Sequence, residues 1–210
     1  MTTTAISTQG ATLKVGTGSG SPITITGVAD GNPTILTAAA HGLSLGDVGT
    51  ISGSTAPVGL NGTFPLLAKT VNTFAIPLDT TGGGAMAGSP VFTPVQWTAI
   101  RNVTSFKGFD GKNARLDATN LSSTVKEYIS GLSDPGSFGF DVHIDMADAG
   151  QIALRNLLVS GAVVPFQLDL PNGHSVSFNG FVETFPWDGG VDKILTANLN
   201  LILSGPVTYA

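Results

Sequence analysis

Apolar and polar residues alternate strictly along residues 138–146. Phe138, Phe140, Val142, Ile144 and Met146 stand against Gly139, Asp141, His143 and Asp145, the period of two that a half-buried strand requires. One strand therefore presents an apolar face and an acidic face. The same period returns at Phe166, Leu168 and Leu170, and again at Val176, Phe178, Gly180 and Val182. Asn172-Gly173 separates these two runs and is the strongest short hairpin signal. Near the end, Leu195, Ala197, Leu199, Leu201 and Leu203 alternate with Thr196, Asn198, Asn200 and Ile202, which predicts a last strand over 193–205. Residues 95–112 read as a strand with aromatic anchors followed by a glycine-containing turn, and 11–15 as a short first strand.

Between two of these strands the period changes. Asp145 or Asp148 can cap a helix over 147–160, with Gln151 in capping-box position relative to Asp148. Leu154, Leu157 and Leu158 share a face that can cover a sheet, and Gly161 is a plausible stop. The expectation for this half is an antiparallel sheet curled over one helix. Asp117, Thr119, Asn120, Ser122 and Ser123, ahead of the acidic strand, make a segment too rich in hydroxyls and amides for a core strand.

Residues 21–90 read differently. Short β-rich runs (ITITGV, PTILTAA, VGTISGS, GTFPLLAK, NTFAIPL) are separated by Gly, Asn, Pro and Asp, the spacing of a small all-β module. Glycine-rich stretches at 16–22 and 80–90 bracket it and have linker chemistry. Charge marks the same boundary: before Arg101 the only charged residues are Lys14, Asp30, Asp47, Lys69 and Asp79. The expected organisation is a core domain of residues 1–20 and 91–210 with an inserted, outward-facing β domain at 21–90.

Composition narrows the function. Charged residues are only 11% of the chain, against roughly 25% in ordinary soluble proteins, so solubility rests on Ser, Thr, Asn and Gly. A net charge of −5 argues against a general nucleic-acid binder, which needs a basic face. The absence of cysteine excludes disulfides, thiolate zinc sites and cysteine nucleophiles. Residues 1–10 lack the basic and apolar regions of a secretory signal, and no apolar run approaches the ~20 residues that cross a bilayer. Synthesis in a cytoplasm without membrane insertion is expected.

Candidate chemistry is sparse. Asp141, His143, Asp145 and Asp148 offer oxygen and imidazole ligands to a hard cation, but capping and an exposed acidic strand face already account for them, and no metal or cofactor is expected. His41, His143 and His174 are far apart and no G-x-S-x-G elbow accompanies them. Gly82, Gly83, Gly84 and Gly88 lack the Lys-Ser/Thr of a phosphate loop. Arg101, Lys107, Lys112 and Arg115 form the nearest thing to a basic cluster and read as solvated or inter-subunit positions. No enzymatic activity is expected.

Two resemblances add to this reading. The segment AHGLSLGDVGTISG, with GLNGTF and TVNTFAIPL after it, resembles small β-barrel repeats that recur in phage structural proteins. Outside it, QWTAIRNVTSF, LDATNLSSTVKEYISGLSDPGSF, FQLDLPNGHSVSFNGFVETF and VDKILTANLNLILSGPV resemble the major tail tube proteins of long-tailed, lambda-like bacteriophages. That resemblance implies a mainly β fold, an antiparallel sandwich or open barrel with one flanking helix. It implies a structural virion protein located in the tail, whose hexameric rings stack into the conduit for DNA ejection. Implied partners are further copies of the chain, the tape measure, tail terminator and tail tip proteins, and double-stranded DNA in transit. Asp141, His143 and Asp145 then become a candidate lumenal or exposed acidic face. Asp117, Thr119, Asn120, Ser122, Lys126, Glu127 and Tyr128 become a candidate inter-subunit loop. The alternatives are a surface-binding β-protein, such as a carbohydrate-binding or adhesin subunit, and a tube protein like those of type VI secretion.

Overall fold

A computed structural model of the chain describes residues 5–209; residues 1–4 and 210, at the ends of the expected core domain, lie outside the described residues. The fold is mainly antiparallel β with a single helix among the described residues. It divides into two compact units, residues 1–100 with 164–177 and 208–210, and residues 101–163 with 178–207. This division follows a different line from the expected one at 20 and 90, because one long strand runs through both segments.

In the first unit, strands β1 (Thr12–Ser19), β2 (Ile23–Thr24), β3 (Gly27–Ala29), β4 (Thr34–Thr37), β5 (Val48–Ala56), β6 (Gly62–Pro65), β7 (Ala68–Lys69) and β8 (Thr73–Ile76) lead to β9 (Ala87–Ile100). The last six residues of β9 pair with β1, whereas its first eight carry β5 on one side and β2 at Phe92 and Val91. Part of each glycine-rich stretch is thus in the sheet: Gly16–Ser19 continue β1, Gly20 N donates to Pro94 O at 2.7 Å, and residues 87–90 open β9. Gly88 shows why one glycine is needed here. It takes φ +90°, and a β-carbon would fall 2.4 Å from Gly53 O on the neighbouring strand, a conformation and a distance that only glycine tolerates.

Strands β3, β4, β8 and β7 form a second, four-stranded sheet. It encloses a core of Ile25, Leu36, Ala38, Leu43, Ile51, Leu60, Leu66, Phe74, Ile76 and Phe92. All of these side chains come from 25–92. A second patch, Leu13, Val15, Phe166 and Leu168, is buried on the β1 side.

The second unit begins with β10 (Val103–Gly108), β11 (Lys112–Asp117), β12 (Tyr128–Asp134), β13 (Ser137–His143) and helix α1 (Ala149–Ser160). The chain then enters β14 (Val164–Asp169), which pairs with β1, and turns into β15 (Ser175–Thr184), within which it returns to the second unit. Strands β16 (Trp187–Asp188) and β17 (Thr196–Leu203) complete it, while β18 (Thr208–Tyr209) belongs to the first unit and pairs with the start of β15. The second unit's sheet runs β10, β13, β17, β15. Its apolar face is aromatic: Phe138 lies 5.1 Å from both Phe109 and Phe178, centroid to centroid, with the rings tilted at 46° and 44°, a separation within the range of favourable ring pairs.

The Asn172-Gly173 turn forms as expected, with Leu170 N donating to His174 O and Gly173 at φ +87°. The helix also starts and stops where its caps predict. Asp148 accepts from Gln151 N at 2.9 Å, and Gly161 takes the left-handed conformation at φ 63°. The alternation expected through Met146 breaks at His143, where β13 ends; Met146 is exposed and Arg155 lies against its sulfur and carbonyl.

Candidate functional site

Two surfaces of the second unit hold the residues singled out from sequence. The first is the polar face of the β10–β13–β17–β15 sheet. Register places Ser105, Asp141 and Asn198 directly opposite one another on three neighbouring strands. The Ser105 hydroxyl donates to Asp141 Oδ2 at 2.6 Å and the Asn198 amide donates to Oδ1. These bonds, Ser105 first, hold the Asp141 carboxyl below its usual range, with a smaller pull from Lys107, because they stabilise the ionised form. Both carboxylate oxygens are engaged by neutral donors. The next row is Lys107, Gly139 and Asn200, and Asn200 donates to Glu183 Oε2 at 2.7 Å.

Asp145 does not continue this row. It lies beyond the strand end, where its carboxylate accepts from Ala147 N at 2.9 Å, an Asx-type turn. His143 lies at the last position of β13 opposite Thr196, and its Nδ1 is buried without a hydrogen-bond partner. Asp148 is buried as the helix cap. Among the described residues no group of three or more His, Asp or Glu side chains is placed to hold a metal ion.

Gln151 organises this corner and does more than the capping-box position suggested. Its side chain is fully buried. Its oxygen accepts from Asp145 N, and its nitrogen donates to Arg101 O and His143 O. The amide joins the helix to the strand end and to the residue after β9.

The second surface is the β11–β12 hairpin. Residues 116–137, expected as a polar assembly loop, hold the end of β11 and all of β12 in a two-stranded ribbon, with Leu116 opposite Ile129 and Asp117 opposite Tyr128. Nearly every residue on it is exposed. Asp117, Thr119, Asn120, Ser122, Lys126, Glu127 and Tyr128 are all exposed on the hairpin or its tip. The tip is held by local bonds: Asp117 accepts from Thr119 N and from Lys126 Nζ, and Asn120 accepts from Ser122 N. Contacts from Thr119, then from Lys126, lower the Asp117 carboxyl. The Arg115 guanidinium sits 4.7 Å above the Tyr128 ring. Leu121, Val125, Ile129 and Leu132 project into solvent, the last two at 60% and 89% exposure.

The other basic residues, Arg101, Lys107 and Lys112, are exposed. Gly82–Gly84 belong to a loop in which Gly84 N donates to Asp30 and Gly83 N to Thr80 O. His41 is built into the first unit: Nδ1 accepts from Leu43 N at 3.1 Å, which leaves Nε2 as the protonated nitrogen facing Thr73 O. His174 sits at the exposed base of the β14–β15 turn.

Sequence reasoning missed Ser105, Asn198, Asn200 and Gln151 as partners of the acidic strand. For Asn198 and Asn200 the signal was present, since both occupy polar positions of the last strand.

The described residues contain no helix long and apolar enough to cross a membrane. Residues 88–177 match the family model of lambda-like phage tail tube proteins. Structural protein 3 of Pseudomonas phage PAJU2 is 22% identical over 125 residues, covering 49% of this chain and 76% of that protein. Two solved structures are similar at TM-score 0.48 and 18% identity over 55% of this chain. They are the tail of an empty gene transfer agent particle with C6 symmetry and the virion of a native gene transfer agent, of whose chains 87% and 89% are covered. Residues 88–177 are thus similar to lambda-like phage tail tube proteins, and the curated relative is a phage structural protein.

Proposed function

We propose that the protein is the repeating subunit of the tail tube: six copies close into a ring, rings stack, and the stacked openings conduct double-stranded DNA into the host. The observation that carries this reading is the β11–β12 ribbon. An isolated two-stranded hairpin is marginal in water, and this one exposes Leu116, Leu121, Val125, Ile129 and Leu132 without a core beneath them. Apolar side chains grouped on one projecting element find cover against another molecule. We assign the ribbon, with Asp117, Thr119, Asn120, Ser122, Lys126, Glu127 and Tyr128, as the contact to neighbouring subunits.

The polar sheet face suits a lumen. DNA is held by cations that displace its counterions. A face of Asp141, Asn198, Asn200 and Glu183, whose carboxylates accept from neutral donors and whose rows carry one cation, Lys107, gives phosphates little to grip. His143 at the strand end and Asp145 just beyond it border this face. The role is structural and non-enzymatic, with tape measure, terminator and tip proteins as further partners.

Residues 21–90 are proposed as an inserted β module facing outward; support comes from a core drawn from 25–92 alone. A second reading, glycan or surface binding by this module, is favoured by an open groove of about 510 Å³ lined by Ala40, His41, Gly42, Leu43, Lys69, Thr70 and Val71.

Negative-stain microscopy of concentrated protein tests the tube. Rings or tubes with a central hole are expected, and the double variant Ile129→Asp with Leu132→Asp remains folded but monomeric. Wild-type protein that stays monomeric at all salt and protein concentrations, even with a tail initiator complex, overturns the proposal.

A further inference from the structure

The loop between His41 and β5 reaches across to the β14–β15 hairpin. Gly46, at φ +81°, presents its carbonyl to Gln167 Nε2 at 2.8 Å, a buried bond between residues 121 positions apart. The fit is close: a β-carbon on Gly46 would stand 2.4 Å from Ser175 Oγ and 3.4 Å from Gln167 Nε2. Gln167 itself is 4% exposed and lies opposite Lys14 of β1. The loop is also tied back into its own module. Gly46 N donates to Leu66 O at 3.2 Å, Leu66 N to Asp47 O at 2.8 Å, Ser44 N to Asp47 Oδ2 at 2.7 Å, and Lys69 Nζ to Leu43 O.

The other attachments leave no free joint. β9 passes without interruption from pairing with β5 to pairing with β1, and the returning chain at Gly20 and Ile23–Thr24 is bonded along it. A module held by one strand could still rock about that strand. The bond at Gly46 is a separate point of support on β14, and this kind of buried amide bond is costly to leave unmade.

We propose that Gln167 is a positioning residue that locks the 21–90 module at one fixed attitude on the β14–β1–β9 sheet, so the module is a rigid fin of the subunit. This rests on reading 21–90 as a module.

Hydrogen exchange on the full-length chain tests it. Gln167→Met keeps the volume and removes the donor. Exchange at the Gly46 and Leu66 amides is expected to rise roughly tenfold, while Leu36 and Phe74, inside the module's own sheet, keep their wild-type rates. Ser175→Val crowds Gly46 from the other side and should accelerate the same two amides. Unchanged rates at Gly46 and Leu66 in both variants overturn the lock, as does uniform acceleration across the first unit, which would make Gln167 a folding residue of the sheet. The module reading fails on different amides: it is overturned if, in the wild-type chain, residues 25–92 open together with β1 and β14 as one cooperative unit.

Discussion

The Gln151 side-chain nitrogen donates to the His143 carbonyl at 3.0 Å, and so pins the first turn of the helix to the end of the acidic strand. The same amide group satisfies Arg101 O and Asp145 N. Gln151→Leu preserves bulk but strands one donor and two acceptors in a dry corner. A loss of about 3 kcal/mol is expected, against about 1 kcal/mol for Asp148→Ala, which removes the helix cap. Thermal melts of the two variants should separate by several degrees; equal melting temperatures would mean that the cap, and not the amide, governs this corner.

Asp141 carries a pH signature. Its carboxyl is lowered by Ser105 and Asn198, so the folded state binds a proton less readily than the unfolded chain. The associated stability is present above the unfolded value, near 3.8, and is lost as pH falls through the folded value. Ser105→Ala or Asn198→Leu should move the Asp141 titration upward and flatten the acid limb of stability. Carbon-detected NMR of the side-chain carboxyl reads this directly, and an unmoved titration would remove both residues from its support.

His41 holds the 40–47 loop through two ring nitrogens and lies edge-on to Phe74 at 5.4 Å. His41→Phe keeps the ring contact and loses both bonds, leaving Leu43 N without its acceptor. A cost of about 2 kcal/mol is expected, read in denaturant unfolding of the first unit. A neutral result would show that ring packing alone sustains the loop.

Phe92 joins the module to β9. It is fully buried, 5.0 Å from Phe74, and its cover comes from the module. Deleting 21–90 behind a short Gly/Ser bridge bares this ring, so the deletion protein should aggregate, and Phe92→Thr in the same background should restore solubility. Sedimentation of the two deletion proteins decides it; a soluble deletion protein that still contains Phe92 would show that β9 can find other cover.

Where one face is buried and the other wet, the strands were legible. Residues 138–143, the Asn172-Gly173 hairpin and the capped helix all follow from contrast between neighbours. The β11–β12 ribbon was not, because Leu116, Ile129 and Leu132 are as exposed as the serines and aspartates around them, and a strand with two similar faces has no period to read. Gly16–Ser19 looked like a linker for a related reason: glycine and serine resemble flexible chain until a neighbour such as β9 pairs with them. The acidic surface was half legible. Asp141 was identifiable as strand and polar, but its shielding by Ser105 and Asn198 depends on register between strands 36 and 57 residues away. Asp145 left the row because β13 ends at His143 and the chain turns at Met146 and Ala147 to meet the helix.

The continuous run of β9 has a mechanical consequence. Fourteen extended residues span about 45 Å, bonded first to β5 and β2 and then to β1. A force drawn along that strand loads many ladder bonds together in shear, whereas peeling would break them one at a time. The strand therefore acts as a tie rod, and the weak direction of the first unit is across the sheet, at the edge strand β6.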